Sequence, residues 1–271
     1  MTPAALLRID SSKATEQIVD FINSVFTQAG KAKAIVAVSG GVDSATSLLL
    51  AARALGPERV EGLHLPAKAS APIHTQHAQL VMDTAEIPAA NRLTINISAI
   101  IQKSWRIIQR STPGVGAAFT PGVNQLRLAN LAARSRMLVL YDQAKRLDAL
   151  VVGTENRSEH LLGYFTRFGD EASDLEPLRH LYKTQVISLA RHLGVPPVIL
   201  DKTPSADLWR GQTDTNELGF TYTEADPILY LHTQGQSPTD IIAAGHPEPL
   251  VTTVLARLQA TAFKHQVPYQ L

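Results

Sequence analysis

The chain has 271 residues, of which 45% are hydrophobic and 18% charged, with a formal net charge of +1. This is the composition of a folded globular protein, and the near-neutral charge gives no long-range pull toward nucleic acid, so a small-molecule substrate is expected. There is no cysteine, which removes disulfides, thiolate metal sites, cysteine nucleophiles and persulfide carriers together.

The N-terminal stretch MTPAALLRIDSSKATEQ lacks a basic start followed by a sustained apolar run. No later apolar stretch approaches the about 18 residues of a membrane span, so a cytoplasmic protein with no membrane partner is expected. Ile18, Phe21, Ile22 and Val25 recur at helical spacing, which predicts an amphipathic helix over 14–28. Ala34 to Val38 is a short continuous apolar run of the kind that forms a strand buried on both faces, and a helix is predicted over 43–55. The unit then repeats in outline, with strands at 60–65, 92–97 and 147–153 and helices at 75–84, 100–109 and 125–146.

Alternating strands and helices predict an α/β fold, an open doubly wound parallel sheet. The Gly/Pro-rich stretch Ser111 to Asn124 is longer than a routine connection and predicts a mobile functional loop. Beyond Gly153 the pattern is helical and loop-rich, with Ser237-Pro238-Thr239-Asp240 reading as a helix start and a last helix over 249–263. The expectation is a single domain over 1–271 that ends in a helical extension.

The strongest local signal is Ser39-Gly40-Gly41-Val42-Asp43-Ser44, between a buried strand and a helix. Two glycines let backbone N–H groups approach an anion, and a helix N-terminus adds partial positive charge there. Asp43 would repel bare phosphate, which points to a bridging Mg²⁺. The competing explanation is an ordinary glycine turn with Asp and Ser capping a helix. The lysine of a Walker A loop is missing, and the turn instead resembles the PP-loop of the ATP pyrophosphatases.

Further blocks narrow the family: Gly153-Thr-Glu-Asn-Arg-Ser-Glu159 continuing to Asp170 and Asp174, Leu181-Tyr-Lys-Thr-Gln185, Pro204 to Gly219, and Asn130 to Met137. In this order they resemble the ammonia-dependent NAD synthetases over nearly the whole chain, a fold of the adenine nucleotide alpha hydrolase type. The resemblance implies that ATP adenylates deamido-NAD and that ammonia then displaces AMP to give NAD. It also implies that Asp43 and Glu159 hold Mg²⁺. Ala37, Val38, Ser39, Gly40, Gly41, Val42, Asp43, Ser44, Thr154, Lys183 and Ser205 match its ATP positions. Arg134, Arg167, Asp174, Phe263 and Lys264 match its deamido-NAD positions, with a homodimer as the expected assembly.

Two matches depart from the family's usual residues: Arg167 stands for a lysine, and Phe263 for the histidine before Lys264. Taken singly, Glu159 and Lys183 could be solvated surface residues, and Arg134 one charge on the wet face of a helix. With no cysteine for a glutaminase, free ammonia is the expected nitrogen donor. The alternatives are another PP-loop enzyme, of GMP-synthetase or tRNA-modifying type, or a nucleotide-binding regulator without turnover.

Overall fold

The computed structural model describes residues 6–68, 70–111, 121–205, 209 and 211–270, with backbone alone at 121 and 122. Four parallel strands, β1 (Lys33–Ala37), β2 (Val60–His64), β3 (Arg92–Thr94) and β4 (Ala149–Val152), form one sheet in the order β3-β2-β1-β4. The chain lays down β1, β2 and β3 in one direction and returns to the other side of β1 for β4. That reversal makes the C-terminal ends of β1 and β4 the place where such sheets bind ligands.

Alternation along β1 assigns its side chains to two cores. Ala34 and Val36 face the helices α1 (Ser11–Ala29), α2 (Val42–Leu55) and α3 (Pro72–Thr84), together with α7 (Lys183–His192). Ile35 and Ala37 face α4 (Ser98–Ser111) and α5 (Pro121–Leu147) on the opposite side. The double layer of helices is why the strand reads as uninterrupted apolar sequence.

Helix α1 is closed at both ends by its sequence. The Asp10 side chain accepts from Lys13 N at 3.1 Å, and Gly30, at φ 64, turns its N–H onto Phe26 and Thr27 carbonyls. Ile18, Ile22 and Phe26 are buried, while Phe21, counted in the same stripe by spacing, lies on the outer flank at 43% exposure.

A third core belongs to the C-terminal part of the chain. Here α6 (Arg157–Leu162), α9 (Asp214–Leu218), α10 (Tyr222–Thr233), α11 (Pro238–Ala243) and α12 (Glu248–Thr261) follow the sheet, with the short α8 (Pro197–Leu200) earlier in the chain. Leu162, Tyr182, Leu218, Ile228, Ile241 and Val254 meet in its interior.

Some boundaries differ from expectation for local reasons. The third strand ends at Thr94, not at 97, because Pro66 on the neighbouring segment has no N–H to continue the ladder. Single bonds from Ile95 N to His64 O (2.9 Å) and from Ile97 N to Pro66 O (3.0 Å) prolong the pairing. The long helix begins at Pro121, four residues early, with proline at its first position. Of the loop expected at 111–124, Ser111 ends α4 and 121–124 are helical, while 112–120 lie outside the described residues.

Ile35 is fully buried at the centre of the sheet. Ile35→Ala should lower the unfolding free energy by about 2–5 kcal/mol in urea titrations, with an unchanged m-value.

Candidate active site

Ala37 and Val38 carry the chain off β1 into the turn, with Val38 N donating to Leu63 O at 2.9 Å. Gly40 has φ +81, and a Cβ there would sit 2.8 Å from His77 Cβ and 2.9 Å from the His74 carbonyl oxygen. Helix α3 therefore packs flush on the turn, and only glycine fits. Ser39 and Ser44 brace it: Ser44 Oγ lies 3.1 Å from Ser39 Oγ and donates to Gly41 O at 3.1 Å, while Ser39 Oγ accepts from Gly41 N at 3.2 Å. Gly41 caps α2 without any side-chain bond, so the first N–H groups of that helix, beginning at Val42, remain open to an anion.

Beside this turn stands a buried ammonium. Lys183, the first residue of α7, donates from Nζ to Asp43 Oδ2 at 2.6 Å and to Glu159 Oε1 at 2.9 Å, with its side chain 4% exposed. Asn156 caps α6 by accepting from Glu159 N at 3.0 Å, and its Nδ2 donates to Asp43 Oδ1 at 2.9 Å. One side chain thus links the Asp43 carboxylate to the start of the helix that carries Glu159.

Burial alone would lower the Lys183 pKa, but the Asp43 and Glu159 carboxylates reverse that and hold it raised. Burial raises Glu159, and Lys183 offsets this only in part. Asp214 adds a third carboxylate and is the buried one of the three; Tyr222 OH donates to its Oδ2 at 3.0 Å, and its Oδ1 has no partner among the described residues. Three carboxylates around one ammonium leave a negative excess that suits a cation.

The donor set fits Mg²⁺. Asp43 and Glu159 offer hard carboxylate oxygens close enough to share one ammonium. Among the described residues no group of three or more His, Cys, Asp or Glu side chains could hold a metal alone. Mg²⁺ commonly takes one or two carboxylates and completes its shell with phosphate and water.

Thr154 lies two residues beyond the end of β4, next to Gly153. A Cβ at Gly153 would fall 2.0 Å from Glu176 Oε1, so the glycine makes room for that carboxylate. Glu176 accepts from Glu155 N at 3.0 Å and from Ser173 Oγ at 2.7 Å. Ser205 sits apart, on the segment that Asp214 N ties back to Pro204 O at 3.0 Å, and its hydroxyl donates to Gln212 O at 2.7 Å.

The other expected group gathers beyond α6. Arg134 Nε donates to Arg167 O at 3.1 Å, and the Arg167 guanidinium lies 5.8 Å from the centre of the exposed Phe263 ring. Lys264 Nζ donates to the Gly163 and Phe165 carbonyl oxygens, both at 2.6 Å, which pins the C-terminal segment to this turn. Asp174 is not drawn into the group; its Oδ2 accepts from Val151 N at 2.7 Å at the edge of β4.

The profile of one family, described as NAD synthase, matches residues 14–268. The chain is 39% identical over 265 residues to the NH₃-dependent NAD⁺ synthetase of Trichlorobacter lovleyi, covering 97% of this chain and 91% of that protein. The chain belongs to the NAD synthase family. Among solved structures, NMN synthetase from Francisella tularensis superposes with a TM-score of 0.82 at 28% identity, covering 97% of this chain and 99% of that one. NH₃-dependent NAD synthetase from Campylobacter jejuni gives 0.77 at 28% identity, covering 97% and 100%.

Within this NAD synthase family member, sequence reasoning reached Asp43, Glu159 and Lys183 but gave no separate role to Asn156, Asp214, Tyr222 or Asp226. Asn156 carried a signal, since Asn three residues before Glu159 is a helix cap pattern. The others come from a distant helix and its approach, and nothing local in sequence brings them to the cluster.

Asn156→Ala removes a cap and the donor to Asp43. Unfolding free energy should fall by about 1–2 kcal/mol, as thermal denaturation would register. Glu176 titrates differently from an exposed carboxyl, for burial pushes it up to about 8. Its native form therefore keeps a proton that the unfolded chain has lost, so stability falls as pH rises from the ordinary glutamate range toward that value. Glu176→Gln should flatten this part of the stability profile between about pH 5 and 8, and an unchanged slope would contradict the assignment.

Proposed function

We propose that this enzyme amidates deamido-NAD with ammonia at the expense of ATP, as a Mg²⁺-dependent homodimer in the cytoplasm, with the whole chain 1–271 acting as one domain. The observation that carries the reading is the convergence of Lys183 on Asp43 and Glu159 beside the uncapped Gly40-Gly41 turn.

The nicotinate carboxylate oxygen attacks the α-phosphorus of ATP, and the bond to pyrophosphate breaks. Ammonia then attacks the acyl carbon of the adenylate, AMP leaves with the bonding electrons, and the nitrogen sheds a proton. Both steps need charge neutralised and reactants aligned more than they need a protein nucleophile. The turn from Ala37 to Ser44 would receive the phosphates on its open N–H groups, with Thr154 beyond β4 and Ser205 on its separate segment assigned to the rest of the nucleotide. When bound at Asp43 and Glu159, Mg²⁺ would screen the phosphate charge that repels an incoming carboxylate. Lys183, in reach of both carboxylates, would then have an anionic phosphate as its partner.

Arg134, Arg167, Phe263 and Lys264 are assigned to the dinucleotide side, where Arg167 can fork two donors to a phosphate. Asp174 would contribute through its second oxygen. A homodimer is supported by the apolar outer faces of α4 and α5, where Ile107, Leu126 and Leu138 are each more than half exposed. Among the described residues no helix is long and apolar enough to cross a membrane.

A second reading, amidation of the corresponding mononucleotide, is favoured by the likeness to NMN synthetase. Incubation with ATP, Mg²⁺, ammonium and either deamido-NAD or nicotinate mononucleotide separates the two. Equal amounts of NAD and AMP from the dinucleotide are expected, with a loss of about 100-fold or more in Asp43→Ala. Turnover with the mononucleotide alone would move the substrate, and no AMP with either acceptor would refute the reaction.

A further inference from the structure

One fully buried carboxylate lies outside every role assigned so far. Asp226, on α10, is 0% exposed, yet it faces the two segments that carry the metal and phosphate groups. Its Oδ1 accepts from Ser158 Oγ at 2.5 Å. Its Oδ2 accepts from Thr184 N at 2.8 Å and from Thr184 Oγ1 at 2.7 Å. Ser158 Oγ in turn accepts from Lys183 N at 2.9 Å. Ser158 is the residue before Glu159, and Thr184 is the residue after Lys183.

These bonds form a closed ring. The first two N–H groups of α7, which no helical carbonyl can reach, are taken by Ser158 and Asp226. The carboxylate charge also lies at the positive end of that helix. One turn earlier on the same face of α10, Tyr222 bonds Asp214 and sets its ring 5.2 Å from Lys183 Nζ. A single helix face therefore touches Asp214, the start of α7 and the start of α6.

We infer that Asp226 is a positioning residue for the reaction, holding α6 and α7 in the one registry in which Lys183 and Glu159 meet Asp43. The inference rests on the reading of those three side chains as the phosphate and metal groups. Ordinary packing would explain burial, but a leucine-sized apolar group would fill the same space. The specific ring of donors on residues 158, 183 and 184 is what packing leaves unexplained.

The test compares Asp226→Asn, Ser158→Ala, Thr184→Val and Thr184→Ser in the full chain. Asn places an amide N–H against a donor, Ala removes one arm of the ring, Val removes the Thr184 hydroxyl, and Ser keeps it. Two quantities are read beside baseline melting temperature: kcat with KM for deamido-NAD, and the rise in melting temperature produced by Mg²⁺ with ATP. A residue that only stabilises the fold lowers the baseline and leaves both unchanged.

For Asp226→Asn and Ser158→Ala, kcat should fall about 10- to 100-fold, the range seen when groups behind a metal site are lost. KM for deamido-NAD should stay within about twofold, since the dinucleotide contacts are untouched. The nucleotide-induced rise should shrink markedly in both, partly in Thr184→Val and not in Thr184→Ser. Wild-type kcat and a wild-type rise in folded Asp226→Asn and Ser158→Ala would overturn the inference, whatever the baseline. Should Asp226→Asn fail to fold, Ser158→Ala decides alone. Wild-type protein that forms no AMP would refute the reaction instead, while the nucleotide-induced rise would still test the positioning.

Discussion

The arrangement depends on one ammonium shared by two carboxylates. Lys183 reaches Asp43 and Glu159 from a third segment of the chain, so α2, α6 and α7 are fixed against one another by charge as well as packing. Taking such groups out of water is costly, and their mutual attraction repays it only when the geometry is good and the remaining lone pairs are satisfied. Asn156 supplies one such bond, to Asp43 Oδ1, while the Asp226 ring holds the backbone at Lys183 and Thr184 that carries the ammonium.

The sheet makes this meeting possible. Because β4 pairs with β1 across the reversal of strand order, the turn after β1 and the segment after β4 emerge side by side. One brings open N–H groups and Asp43, the other Asn156 and Glu159. The bridge between Val152 and Leu175 extends this edge, and Gly153 leaves room for Glu176 behind it. Nucleotide chemistry on this frame consists mostly of placing charges, which suits a chain without cysteine.

Much of this was legible in the sequence. The run Ala34 to Val38 and the glycines after it state a buried strand and a tight turn in adjacent residues, because both are local properties of apolar content and glycine. Glu159 and Lys183 carried little signal singly and became readable through the motifs around them. Their contact with each other did not, since they stand 24 positions apart across loop and helix and the pairing is set by tertiary packing. Asp226 was illegible for the same reason, as an acid inside an apolar helix has no local sign of what it bonds. The end of β3 turned on Pro66, a residue of the segment that follows β2. Lys264 was expected at a substrate, and its ammonium is held by two carbonyl oxygens, a contact that depends on how the C-terminal segment folds back.

The central claim is that the Lys183 bridge is a mutual dependence, with each charge tolerable only in the presence of the others. Unfolding free energies of nucleotide-free protein test it directly, for Lys183→Met and for the triple variant Lys183→Met, Asp43→Asn, Glu159→Gln. The single change should cost about 3–5 kcal/mol because it strands two largely desolvated carboxylates, and the triple change should recover most of that by neutralising them. A triple variant as unstable as the single one, or a single change without measurable cost, would contradict the account.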